Sequence, residues 1–93
     1  MTLTKVGIIG AGATGLAAAF ELGKWGHQAL VYERAPFVGG QASTFDVNGT
    51  PIEKGYHHLF RSDRAMIELM GELGIGERLR WIDSNVGYFV NGR

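Results

Sequence analysis

The chain has no cysteine, only two prolines, and no net charge across its 93 residues. The absence of cysteine excludes a disulfide scaffold, a thiolate zinc site, an iron–sulfur cluster and a cysteine nucleophile. Nine Lys and Arg balance nine Asp and Glu, so no basic field draws nucleic acid or an anionic membrane by charge. Long apolar runs are also missing. The longest, residues 6–20, is interrupted by Gly7, Gly10, Gly12, Thr14 and Gly15. It is shorter than the roughly 20 apolar residues a transmembrane helix needs. Lys5 before this run and the Ala-Gly-Ala inside it mimic a secretory leader, but the glycines stand where a strand-to-helix turn needs them. A cytoplasmic location is the expectation. The length suits one small domain with one hydrophobic core, and 45% apolar residues predict packing rather than disorder.

Glycine, by contrast, is plentiful. It supplies 15 of the 93 residues, against an ordinary usage of roughly 7%. The glycines are dispersed, so they mark sharp turns and close backbone approaches rather than a linker. Lys5-Val6-Gly7-Ile8-Ile9 predicts a short buried strand, and residues 10–15 a turn. Residues 16–25, rich in Leu and Ala, predict a helix stopped by Gly26. Residues 29–32 form a second buried strand ending at Glu33. This order is a βαβ unit, which implies a parallel sheet and a right-handed crossover. The fold class is therefore α/β, of the Rossmann-like nucleotide-binding kind.

Residues 34–42 are a loop holding Pro36 and the pair Gly39-Gly40. Residues 43–52 predict a hairpin around Asn48-Gly49. Ser62 or Asp63 starts a helix running to about Leu73, with Met66, Ile67, Leu69, Met70 and Leu73 at helical spacing. Residues 81–90 predict one or two strands, with a second Asn-Gly hairpin turn at Asn91-Gly92. The chain stops one residue later, and no third parallel strand is visible. Residues 1–93 are thus expected to be the N-terminal part of a nucleotide-binding domain, with the substrate domain elsewhere. Arg61, Arg64, Arg78 and Arg80 are expected on a solvated face.

The chemistry concentrates in three places. Gly10-Ala11-Gly12-Ala13-Thr14-Gly15 is a G-x-G-x-x-G between a strand and a helix, and Glu33 follows Gly15 by 18 residues, close to the spacing of about 20 that a ribose-binding acid needs. Gly10 makes the turn, Gly12 admits a pyrophosphate to the backbone, and Gly15 lets the helix lie close to the strand. The free N–H groups of Gly12, Ala13, Thr14 and Gly15 face an anion, backed by the helix dipole. Glu33 accepts from adenosine ribose hydroxyls, and Arg34 lies beside it. Gly39-Gly40-Gln41 forms the second place. Two consecutive glycines leave backbone bare for a ligand, on the side opposite Gly12. The third is Glu53-Lys54-Gly55-Tyr56-His57-His58. Adjacent histidines point to opposite sides of an extended chain, and His27 is distant in sequence, so no metal site is expected.

Taken together, Val6-Gly7-Ile8-Ile9-Gly10-Ala11-Gly12, Val31-Tyr32-Glu33-Arg34, Val38-Gly39-Gly40-Gln41 and Glu53-Lys54-Gly55-Tyr56-His57 resemble the flavin-containing amine oxidases. That superfamily includes phytoene-type desaturases, protoporphyrinogen oxidase and UDP-galactopyranose mutase. The resemblance covers essentially the whole chain. It implies FAD as cofactor and a flavin-dependent oxidoreductase acting on a small-molecule substrate. By the same resemblance Gly55 packs near the isoalloxazine and His57 faces its active side, which makes His57 the candidate catalytic residue. Most relatives carry Arg or Lys after the paired glycines, where this chain has the amide of Gln41. Two alternatives stand beside this reading. One is a mutase using reduced flavin on a sugar nucleotide without net redox change. The other is a nicotinamide-binding module, which has no use for Gly39-Gly40. The 93 residues alone are expected to be inactive.

Overall fold

A computed structural model describes residues 2–55 and 57–93. Tyr56, within the third motif, lies outside them. The chain divides into two compact units, residues 2–58 and 59–93.

The first unit opens with strand β1 (Lys5–Ile9), helix α1 (Ala13–Lys24) and strand β2 (Gln28–Tyr32). β1 and β2 pair in parallel, with Lys5 opposite Gln28 and Ile9 opposite Tyr32. The expected βαβ unit is present. Val6, Ile8, Ala29 and Val31 are half-buried, while the alternate positions Lys5, Gly7, Ile9, Gln28, Leu30 and Tyr32 are exposed. Helix α1 contacts both strands, and a methyl at Gly15 would meet the Ile8 side chain, so the half-buried positions form the helix-covered face. Apolar residues on both faces mark strands built to be covered on both sides.

Helix α1 starts at Ala13, three residues before the predicted start at Leu16. Sequence propensity treats Gly15 as a turn residue. Packing overrides it, because only a glycine can bring this helical turn against the end of β1. The other end follows the expected glycine stop. Gly26 adopts φ +82°, its N–H donates to the Gly23 carbonyl, and the His27 N–H donates to the Leu22 carbonyl. That pair of bonds is a Schellman cap. His27 also accepts from the Thr4 N–H through Nδ1 at 3.2 Å, so it ties the helix end to the start of β1.

The loop after β2 contains a short 3-10 turn at Gly40–Ala42. Strands β3 (Thr44–Val47) and β4 (Thr50–Glu53) then form the predicted antiparallel hairpin. Asn48 and Gly49, at φ +51° and +87°, make its two-residue turn. The Gly49 N–H donates to Asp46 Oδ2 at 3.0 Å. The Lys54 N–H donates back to the Ser43 carbonyl, and the Lys54 ammonium lies 3.6 Å from the centroid of the Phe37 ring. These contacts fasten the hairpin's exit to the Gly39–Gly40 loop.

The second unit holds helix α2 (Arg64–Glu72) and a 3-10 turn at Gly76–Arg78. Asp63 occupies the N-cap position as expected, but its carboxylate accepts from the Phe60 N–H at 2.7 Å rather than from the helix. Gly74, at φ +75°, ends α2 with a second Schellman pair, Gly74 N–H to Gly71 O and Ile75 N–H to Met70 O. Arg61, expected to be solvated, stacks its guanidinium 4.6 Å from the Trp81 ring centroid. Residues 81–90, expected as one or two strands, form none. The Asn91-Gly92 turn itself does form, with φ +51° and +77° and reciprocal backbone bonds between Val90 and Arg93. A turn is a local conformation, whereas a strand exists only through its ladder. Among the described residues nothing pairs with 81–90, and Ile82, Tyr88 and Phe89 are each more than 80% exposed.

Candidate functional site

The site is built where β1 ends. Gly10, at φ +102°, turns the chain out of the strand, and its N–H donates to the Tyr32 carbonyl at 2.7 Å. Ala11 follows and is the one buried hydrophobic among the described residues, 2% exposed. Both of its backbone groups are used. Its carbonyl accepts from the Gly39 N–H at 2.7 Å, and its N–H donates to Glu33 Oε1 at 3.0 Å. Gly12 and Gly39 continue this contact as an isolated parallel bridge. A Cβ on Gly40 would lie 3.2 Å from the Gly12 Cα, tighter than ordinary van der Waals contact. The two glycine motifs therefore lie directly against each other, rather than on opposite sides of a gap as the sequence suggested. Their glycines are needed for backbone-to-backbone approach before any ligand is considered.

Helix α1 begins at this seam. Gly12 is its N-cap and has no side chain to cap with, and the first turn contains no acidic residue. The leading N–H groups of a helix have no intrahelical acceptor. Here nothing negative competes for them or for the positive end of the helix dipole. They border a cavity of about 590 Å³ lined by Ile8, Ile9, Gly10, Gly12, Ala13, Thr14, Gly15 and Ala18 on one side. Gly39, Gln41, Ala42 and His57 complete it. The lining holds no Asp, Glu, Lys or Arg. Such a cradle of bare backbone donors fits an anion that brings its own charge, as a pyrophosphate does.

Glu33 stands just past β2. Its Oε2 accepts from the Ala35 N–H at 2.9 Å, while Oε1 takes the Ala11 N–H. The Ala35 bond, then the Ala11 bond, hold its carboxyl below the ordinary glutamate value, with a smaller contribution from the neighbouring Arg34. Sequence reasoning assigned Glu33 to a ligand only. In the structure it also staples the glycine turn to the loop after β2, and nothing in the spacing announces that role. Each carboxylate oxygen has lone pairs beyond those the two N–H groups use. Glu33 and Arg34 border a second hollow of about 680 Å³ with Gly7, Ile9, Val31 and Tyr32.

The third motif reaches the first cavity through His57. Its Nδ1 lies 3.5 Å from Glu53 Oε2. Gly55 does not line the cavity. A methyl there would touch the Gln41 carbonyl and the His57 ring, so Gly55 lets the chain pass close beneath the second glycine motif. The structure thus brings Gly10, Gly12, Ala13, Thr14, Gly15, Gly39, Gln41 and His57 to one cavity. It places Gly40 in the seam behind it and Glu33 and Arg34 at the neighbouring hollow. Among the described residues no three His, Asp or Glu side chains come together as a metal site, and no helix is long and apolar enough to cross a membrane.

Comparison with known proteins agrees with this geometry. The sequence profile of the flavin containing amine oxidoreductases matches residues 13–93. A zeta-carotene desaturase of Zea mays is 39% identical over 88 residues, which cover 94% of this chain and 15% of that protein. A 15-cis-phytoene desaturase of Synechococcus elongatus is 40% identical over 78 residues, 83% of this chain and 16% of that protein. The chain spans about one sixth of the length of the curated relatives it matches. No solved structure matches it. The glycine seam, the acid after β2 and the matched profile together place this chain in the family of flavin-containing amine oxidoreductases, whose cofactor is FAD.

Proposed function

We propose that residues 1–93 form the dinucleotide-binding part of a Rossmann-like domain, and that the whole protein is an FAD-dependent oxidoreductase of the amine oxidase and desaturase kind. The observation that carries this reading is the seam of Gly12 against Gly39 and Gly40, which opens onto the uncapped start of α1.

The N–H groups of Gly12, Ala13, Thr14 and Gly15 would hold the pyrophosphate, with the Gln41 amide as a neutral contact in place of a cation. Glu33, held ionised by its two backbone donors, would accept from the adenosine ribose hydroxyls. Arg34 borders the same hollow. Gly55 keeps the His57 segment close to the cofactor path, and His57 is the candidate to face substrate or flavin. When bound, FAD supplies a two-electron acceptor for cleavage of a C–H bond next to carbon or nitrogen. The residues of this chain bind and orient it. Residues that recognise the substrate lie outside them. Family membership and the second glycine motif favour this reading over a nicotinamide module.

The test is the absorption spectrum of the purified whole protein, followed by release of its chromophore on denaturation. The expected result is one FAD per chain. A protein that carries no flavin and takes up none from solution would refute the reading.

A further inference from the structure

The cavity beside the α1 N-terminus has an unusual charge balance. A dinucleotide's pyrophosphate diester carries two negative charges, yet no lysine or arginine lines the cavity. At the position where relatives were expected to carry a cation, this chain has Gln41. His57 is the only titratable side chain in the lining. It is 37% exposed, so a proton can reach it from solvent, and its Nδ1 lies 3.5 Å from the Glu53 carboxylate. That carboxylate favours the protonated ring and leaves Nε2–H as a second donor.

The charged groups around the imidazole are few. On β4 and the segment after it, Glu53 faces the ring, the Lys54 ammonium is held over Phe37, and His58 follows. The glycine loop contributes Gly39, Gln41 and Ala42, and the turn before α1 contributes glycines, Ala13 and Thr14, none of them charged. Nothing in the lining besides His57 can supply a positive side chain to an incoming dianion.

We infer that His57 is a proton-linked anchor for the pyrophosphate: the dinucleotide binds most tightly when His57 has taken a proton from solvent, and binding promotes that uptake. This rests on the dinucleotide reading above and moves His57 from the flavin end of the cofactor to its phosphates. An anion within about 4–6 Å of an imidazolium favours the charged form by roughly tenfold or more. By linkage the ligand's affinity changes by the same factor between the two protonation states. The sign is fixed: affinity is highest below neutral pH and falls as pH rises and His57 loses its proton.

The experiment uses the whole protein stripped of flavin, and two ligands, FAD and ADP-ribose. Neither has a group on its pyrophosphate diester that titrates in the range tested. Kd is measured from about pH 5.5 to pH 8.5, spanning imidazole titration, and calorimetry in two buffers of different ionisation enthalpy counts protons taken up. Both ligands should bind about tenfold more tightly at the acid end, with net proton uptake near neutral pH. His57→Gln should flatten both profiles, and His58→Gln should leave them unchanged. The buffer comparison needs no variant, so a His57→Gln protein that fails to fold still leaves a decisive result. A pH effect with FAD but not with ADP-ribose would overturn the inference and return His57 to the flavin. A profile that survives His57→Gln, or affinities independent of pH, would also overturn it while leaving dinucleotide binding intact. Failure of both ligands to bind at any pH would overturn the dinucleotide reading and this inference together.

Discussion

Glycines in the two units do different work. Around the cavity they are places where backbone meets backbone. A methyl on Gly15 would overlap the Gly10 carbonyl oxygen, and one on Gly40 would press on the Gly12 Cα. In residues 59–93 the glycines at 71, 74, 87 and 92 have nothing within 4 Å of such a methyl. There glycine serves local conformation, as at Gly74 and Gly92 with φ +75° and +77°, or serves nothing the structure shows, as at Gly71 and Gly87. A high glycine count is therefore not one signal. It separates into a seam that positions chemistry and punctuation that ends helices and turns strands.

The largest effect should come from Gly15→Ala. The added methyl has no room between β1 and α1, and the gain in helix propensity, about 1 kcal/mol, is smaller than an overpacking cost of about 3 kcal/mol. Chemical denaturation of the variant should show that loss or failure to fold. A variant as stable as the parent would mean the helix stands farther from β1 than described.

Next comes Gly40→Ala. The residue holds φ +55°, a region that costs an alanine about 1–2 kcal/mol, and its methyl would push the two glycine motifs apart. Stability should fall by about that amount, and FAD affinity should fall with it, as read by flavin fluorescence. Loss of stability with unchanged affinity would show that the seam is structural only.

Glu33 sharpens the comparison from the electrostatic side. Glu33→Ala leaves the Ala11 and Ala35 N–H groups without their acceptor and should weaken FAD binding by about tenfold, since hydrogen bonds to a charged acceptor are the stronger kind. Its carboxyl is held below the ordinary value. The stability it contributes is therefore complete above the ordinary glutamate range and lost as pH falls through the lowered value. Acid unfolding monitored by circular dichroism should lose part of its pH dependence in Glu33→Gln. An unchanged acid limb would mean that the staple is not formed in solution.

The smallest change should have the opposite sign. Gly71 lies inside α2 with space around it, so Gly71→Ala should stabilise the helix by about 0.5–1 kcal/mol. Thermal melting would register it. Destabilisation would show that Gly71, like Gly15, is hemmed in.

Much of this arrangement was legible in the sequence because it rests on local rules. β1 was read to the residue, β2 to within one, and Asn48-Gly49 announced the hairpin. Gly26 and Gly74 ended their helices by the same capping geometry. The failures are equally specific. The start of α1 was misplaced because Gly15 sits in the helix for a tertiary reason that propensity does not carry. Residues 81–90 have strand-like composition, but no ladder forms for them among the described residues. The bridge between Gly12 and Gly39, the double use of Glu33 and the arrival of His57 at the phosphate cavity join residues far apart in sequence. No periodicity or spacing encodes those contacts.

The central claim is that the seam at Gly12 holds the dinucleotide. Its most direct test is Gly12→Val in the whole protein, with bound FAD measured by absorbance and folding by circular dichroism. A Cβ at Gly12 has its nearest neighbour 4.0 Å away, at the Gly40 Cα, so the protein should remain folded while the larger side chain closes the cavity. The account predicts a folded protein without FAD. A folded variant that retains as much FAD as the parent would contradict it.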